Sequence, residues 1–130
     1  MAIATCIIAP KNIVTRICAE ATAIPKGTVM KLSGTNLVIA SSGDTDAYGG
    51  ITIEEFKGGE GLTHVSCAYN DGVFQIGTTA AAIAVGELVN IGGANAVVLA
   101  DAAAIITGSL VGKAEEARTE TNSIRVRLTA

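Results

Sequence analysis

The chain is one β unit written twice, and nothing else in its 130 residues restricts the fold as strongly. Sliding the sequence over itself by about 59 residues, a search for internal periodicity that precedes motif hunting, sets Asn12 to Ile51 over Asp71 to Leu110 without a gap. Val14 falls on Val73, Ile17 on Ile76, Ala21 on Ala80, Ile24 on Ile83 and Gly27 on Gly86; further on, Gly34 meets Gly93, Asn36 meets Asn95, and Gly49 meets Gly108. About ten of roughly 40 positions are identical, and aliphatic swaps such as Val29/Leu88 keep the same phase. A solenoid needs at least about three repeats to bury its faces, so two copies must close on each other. The expected fold is therefore mainly β: a compact barrel or sandwich of two pseudo-repeated units, 12–51 and 71–110. One domain covers 11–130, an extended N-terminal arm covers 1–10, and there is little helix.

Local chemistry fits that reading. Glu87 to Ile91 and Ala96 to Ala100 flank Gly92-Gly93-Ala94-Asn95. Gly and Asn accept the positive φ of a tight turn, so the stretch reads as a hairpin. Thr28 to Leu32 and Asn36 to Ala40, around Ser33-Gly34-Thr35, form its first copy. Asn12 to Glu20, Val73 to Ile76, Ile51 to Phe56, Leu62 to Tyr69 and Ser123 to Ala130 are the remaining predicted strands. In the last of these Ile124, Val126 and Leu128 alternate with Arg125 and Arg127, the period-two mark of a half-buried strand. The segment from Asp101 to Ile106 reads as a helical turn or a packed loop.

Composition narrows the function classes. Apolar residues make up 49% of the chain, but aromatic residues only 3% and charged ones 16%, with a net charge of −3. That balance carries neither a nucleic-acid footprint nor a polybasic membrane patch. A surface so weakly charged implies that a partner covers part of it. Met1 to Ala9 is apolar but lacks the basic start of a secretion signal, and no run reaches the ~20 residues of a membrane span. The chain reads as made in a cytosol and soluble.

Candidate chemistry is sparse. Cys6, Cys18 and Cys67 are odd in number and lack a CxxC spacing, so each reads as a small buried hydrophobe. Asp44-Thr45-Asp46 lacks the distal Glu of a calcium loop and reads as a solvated turn. Lys57-Gly58-Gly59-Glu60-Gly61 lacks the GK[ST] ending of a phosphate cradle and reads as a hairpin loop. The sole histidine, His64, has no partner at triad spacing and reads as a strand residue facing solvent or a neighbouring subunit. No catalytic residue, metal site or cofactor is expected.

Ala2 to Ala9, stopped by Pro10-Lys11-Asn12, would be an exposed hydrophobic edge, which natural proteins avoid unless another surface covers it. It reads as an arm that docks elsewhere. The paired arginines of the last strand suit an inter-subunit contact, an acidic neighbour or plain solvation.

Four segments carry a family resemblance: Ile24-Pro25-Lys26-Gly27-Thr28-Val29-Met30-Lys31-Leu32; the run from Ala82 through Gly86 to Ile91; Leu110-Val111-Gly112-Lys113-Ala114; and Ile124-Arg125-Val126-Arg127-Leu128. With this spacing of glycines and aliphatics, the chain resembles the small β-rich capsid decoration (cement) proteins of tailed bacteriophages beyond about residue 10. It departs from them at Gly49-Gly50-Ile51-Thr52-Ile53, where the family reads IGVA. The resemblance implies a protein without catalytic residues, made in the host cytoplasm and carried on the outer surface of the virion. It would bind the expanded icosahedral head as a homotrimer near local threefold axes and clamp neighbouring subunits of the major capsid protein. The residues expected at a capsid or subunit interface are Ile3, Ile7, Ile8, Lys11, Arg125 and Arg127. Another structural virion component, such as a head-fibre base or tail protein, and a small-ligand-binding β-barrel are the alternatives.

Overall fold

The computed structural model describes residues 3–34, 37–43, 46–78, 82–102, 107–117 and 123–129. These residues form eleven strands: β1 (Thr5–Ile8), β2 (Ile13–Cys18), β3 (Val29–Ser33), β4 (Leu37–Ala40), β5 (Tyr48–Thr52), β6 (His64–Ala68), β7 (Val73–Thr78), β8 (Leu88–Ile91), β9 (Ala96–Leu99), β10 (Leu110–Ala114) and β11 (Ser123–Leu128). The reading of Asp101 to Ile106 lies, for residues 103–106, outside the described residues.

The strands close into two five-stranded barrels. The first runs β2-β4-β3-β5-β6. The second runs β7-β9-β8-β10-β11, closed by the β7–β9 pairing, with β1 added on β7. Their pairing diagrams are the same: the first strand is parallel to the third (β2–β4, β7–β9) and every other pairing is antiparallel. The hairpins share their register, with Met30 opposite Ala40 and Leu32 opposite Val38, then Val89 opposite Leu99 and Ile91 opposite Val97. Both barrels carry a β-bulge after the same residue of the hairpin's first strand, Met30 and Val89. Even the turns match: Gly27 N–H donates to Thr52 O at 2.8 Å, and Gly86 N–H to Ala114 O at 2.9 Å.

These pairings correct two details of the sequence alignment. The β9–β10 connection, 100–109, is three residues longer than the β4–β5 connection, 41–47. Gly108 therefore does not correspond to Gly49; the glycines that do correspond are Gly50 and Gly112. A Cβ on Gly50 would lie 2.9 Å from Ala68 O, and one on Gly112 would land on Arg127 O, so each lets two backbones approach across a bulge. The second detail is a one-residue slip between β2 and β7, which moves side chains to the opposite face. Ile76 is buried while Ile17, set opposite it by the alignment, is 44% exposed. Its true counterpart is Gly77, because Ile17 pairs with Leu37 and Gly77 with Ala96.

Strand β5 also begins earlier than the predicted Ile51 to Phe56. Gly49 and Gly50 read as loop residues in sequence but belong to the strand, Gly50 paired with Met30 and Gly49 at the bulge; past Thr52 only the Ile53 N–H bond to Ser66 O at 3.1 Å and the Ile24–Phe56 bridge tie residues 53–56 to the barrel.

Each barrel has an apolar filling. The first encloses Cys18, Ile24, Met30, Val38, Phe56, Val65 and Cys67. The second is built on Phe74, Ile76, Ile91, Val97, Ile124, Val126 and Leu128, and its cluster also takes in Ala4 of the arm and Val29, Tyr48, Ile51 and Ala68 of the first barrel. One apolar cluster thus spans the junction, and the barrels share a hydrophobic core. Burial of this kind contributes about 25 cal/mol per Å², so the shared cluster holds the two barrels together.

Candidate interaction surface

The N-terminal strand bridges the two barrels. Ala4 is buried and its N–H donates to Gly27 O at 2.7 Å, on the first barrel. One residue later the chain enters β1, which pairs antiparallel with β7 of the second barrel, Thr5 opposite Gln75 and Cys6 opposite Phe74. Gly27 has φ +86°, and a Cβ there would land on Ala4 O, so only glycine leaves room for the arm. Between arm and barrels lies a groove of about 250 Å³, lined among others by Cys6, Ala9, Pro10, Ile13, Ile53 and Phe74.

The turn after the arm is fixed by Asp71. Its carboxylate accepts from Lys11 N–H at 2.7 Å, Asn12 N–H at 3.2 Å and Gly72 N–H at 2.8 Å. These backbone bonds, that from Lys11 first, hold the Asp71 carboxyl below its ordinary range. Lys11 stands at the surface and its backbone is part of this tie.

All four residues of β1 are exposed. Ile3, Ile7 and Ile8, expected at an interface, are 48%, 44% and 52% exposed. Cys6 is exposed too, which corrects the reading of all three cysteines as buried. Cross-strand pairing brings Ile8 into one row with Val73 and Arg127, and Thr5 into the next with Gln75 and Arg125. That row continues from Arg127 to Lys113 and Leu88. Ile8, Arg125 and Arg127 therefore share the outer face of the second barrel, whereas Lys11 stands at its edge. For Arg127 the acidic neighbour is in the chain itself, Nε donating to Glu115 Oε1 at 2.9 Å, whereas Glu116 Oε1 accepts at 3.1 Å from the backbone N–H of Arg125 and not from its guanidinium. With both partners of the first pair solvent-accessible, the ion pair contributes at most about 1 kcal/mol.

Sequence reasoning missed a second exposed stripe. Ile13 and Ile17, on the outer face of β2, are 56% and 44% exposed, and Leu62 is 58% exposed. The alignment set Ile17 opposite Ile76, which is buried. The β4 side of β2 is paired only at Ile17 and Cys18; among the described residues nothing pairs with Ile13 to Thr15 there. In the second barrel β1 covers the counterpart positions, Val73 to Gln75.

Buried chemistry is arranged for packing. Tyr48 stacks on Tyr69 at 5.2 Å between ring centroids, and the Arg16 guanidinium sits 4.8 Å over the Tyr69 ring. Arg16 Nε donates to Gly49 O at 3.1 Å. Burial pushes the Tyr48 hydroxyl well above its ordinary pKa, and burial pushes the Cys67 thiol up to about 12. His64 is exposed on β6, its Nδ1 3.1 Å from Thr63 Oγ1. Asp46 closes its turn by accepting from Ser42 N–H at 2.7 Å and Gly43 N–H at 2.8 Å, and meets Lys31 Nζ at 3.6 Å. Its neighbours Asp44 and Thr45 lie outside the described residues. Among the described residues no three His, Cys, Asp or Glu side chains gather where a metal ion would bind. The surface is thus equipped to bury aliphatic side chains and to extend a sheet. No protein-family model matches the chain, and no curated protein matches it in sequence.

Proposed function

We propose that the protein is a structural component of a phage virion that decorates the outer surface of the icosahedral capsid. It clamps neighbouring subunits of the major capsid protein and self-associates as a homotrimer. The observation that carries this reading is β1, an edge strand with every residue exposed and with Ile3, Ile7 and Ile8 offered to solvent beside an apolar groove. An edge of this kind invites pairing with another chain, and natural proteins leave it open where a partner covers it. The family resemblance of the glycine and aliphatic spacings names that partner as the capsid shell.

The test mixes the protein with undecorated, expanded capsids and measures bound copies after sedimentation. Saturable binding is expected, with a loss of at least about tenfold in affinity for Ile7→Asp combined with Ile8→Asp. These exposed positions are better targets than deletion of the arm, which also removes buried Ala4 and uncovers Phe74. Failure of the wild-type protein to bind, or unchanged binding by the double variant, would refute the reading.

A further inference from the structure

The duplicated unit shows what belongs on the open edge of β2. In the second barrel β1 lies along Val73 to Gln75, on the side of β7 that further on pairs with β9. In the first barrel the corresponding side of β2, Ile13 to Thr15 ahead of the β4 pairing at Ile17, carries no strand among the described residues. The two edges are chemically alike: Ile13, Val14 and Thr15 stand where the second barrel has Val73, Phe74 and Gln75, and none of these is charged. Burial differs in the way a missing strand requires. Ile13 and Thr15 are exposed and Val14 is half-buried, whereas Val73 and Phe74 are buried and Gln75 is half-buried.

The backbone of this edge is oriented to receive a strand. Cys18 N–H donates to Thr63 O at 2.8 Å, on the β6 side. Ser66, opposite Thr15, turns its own groups away from β2, accepting from Ile53 N–H at 3.1 Å and donating to Glu54 Oε1 at 3.1 Å. Antiparallel alternation therefore commits the backbone groups of Val14 and Arg16 to β6 and points those of Ile13 and Thr15 out from the open edge. In the second barrel the same alternation, with Leu128 N–H donating to Gly72 O at 3.0 Å, turns Val73 and Gln75 towards β1. Ile13 also lines the apolar groove beside the arm, so edge and groove are continuous.

We infer that an extended, aliphatic segment of the major capsid protein adds to β2 as a further strand, antiparallel and opposite Ile13 to Thr15, as β1 adds to β7. A second copy of this chain has no free segment of that kind among its described residues. Its β1 is paired on β7, and the arm is tied at both ends, by Ala4 to Gly27 and by Lys11 and Asn12 to Asp71. The strand therefore comes from a different polypeptide, and its identity as a capsid subunit rests on the proposed function. Its side-chain pattern follows from the copy: a small residue opposite Val14, as Cys6 is opposite Phe74, and an aliphatic one opposite Ile13, as Ile8 is opposite Val73. With β1 exposed on the second barrel and an added strand on the first, each barrel holds its own piece of the shell, which is what clamping neighbouring subunits demands.

Thr15→Pro in the full chain is the first test, because proline deletes an N–H that the β6 ladder does not use and is tolerated on an edge strand. Its affinity for undecorated, expanded capsids, measured by sedimentation, should fall at least about tenfold, while its melting temperature and far-ultraviolet circular dichroism stay close to wild type. The second test leaves the backbone intact. Ile13→p-benzoylphenylalanine is bound to capsids and irradiated, and the partner chain is identified by mass spectrometry; cross-linking to the major capsid protein is expected. This cross-link decides alone if the proline variant unfolds. Unchanged affinity of a folded Thr15→Pro overturns the inference, and so does cross-linking only to a second copy of this chain, or to none. In those cases wild-type binding that is lost on Ile7→Asp with Ile8→Asp leaves the proposed function standing. Failure of the wild type to bind capsids overturns both.

Discussion

The junction between the barrels can be weighed at one residue. Asn95 has φ +54°, a region few side chains other than Asn accept, and its Oδ1 receives the N–H of fully buried Val29 at 2.9 Å. Asn95→Ala removes the acceptor and leaves a buried donor unpaired, at a cost of about 1–3 kcal/mol. It also places a Cβ without a compensating side-chain bond in the left-handed region, adding about 1 kcal/mol. The expected loss is roughly 2–4 kcal/mol, or a fall in Tm of about 6–16 °C for a chain between the sizes for which such conversions are tabulated. Asn95→Gly separates the two terms, because glycine keeps the φ and loses only the acceptor; it should cost about 1–3 kcal/mol. Asn95→Asp keeps an acceptor oxygen and should stay within about 1 kcal/mol of wild type. Urea unfolding followed by far-ultraviolet circular dichroism measures all three. Glycine equal to wild type would show that the Val29 bond contributes nothing, and the argument for a hydrogen-bonded junction would fall with it.

Two further outcomes follow from titratable groups. Asp71 has a folded pKa below its unfolded value, so its ties to Lys11, Asn12 and Gly72 are complete above about pH 4 and are lost as pH falls through the lower folded value. Asp71→Asn should flatten the acid limb of stability against pH, and an unchanged limb would remove Asp71 from the account. For the thiols, Cys6 is exposed while Cys18 and Cys67 are buried, Cys67 with its pKa pushed up to about 12. A thiol reagent at neutral pH should modify Cys6 rapidly in the folded protein and the other two only on unfolding; fast modification of Cys67 would contradict its burial.

What the sequence disclosed about the fold was whatever depended on local chemistry. Both hairpins were legible because Gly34 recurs as Gly93, and with Asn95 these are residues that accept the positive φ a tight turn needs. The last strand was legible because Ile124, Val126 and Leu128 alternate with polar residues on a half-buried sheet. Strand β5 was not, because its sequence signal is inverted. Gly49 and Gly50 look like a loop, and the reason for glycine at position 50 is the neighbouring β6 backbone, whose Ala68 O would lie 2.9 Å from an added Cβ and which no neighbour in sequence announces. The one-residue slip between β2 and β7 arose from the same limit. Ile17 and Ile76 are the same residue type, but in strands face is decided by parity, and parity is fixed by long-range pairing.

The interaction surface shows the complementary limit. The arm residues Ile3, Ile7 and Ile8 could be picked out because a run of aliphatics ended by Pro10 has no polar alternation, so wherever it lies some side chains must face out. Ile13 and Ile17 could not, because a strand with alternate aliphatics reads as core until its neighbours are known. Here the inward positions of β2 are Val14, Arg16 and Cys18, and the inward Arg16 is accommodated by Tyr69 and the Gly49 carbonyl. The aliphatic face is left outside as a consequence. A barrel that places an arginine inward and isoleucines outward has exchanged some of its own stability for surface, and in a duplicated unit the copy shows which positions were exchanged. Ile76 occupies in the second barrel the place that Arg16 holds in the first, and is fully buried. Restoring the pattern with Arg16→Ile and Ile17→Thr would move apolar area back inside, so the duplicated partner strand supplies the sequence against which the exposed face of β2 is recognised as a departure rather than as a poorly formed core.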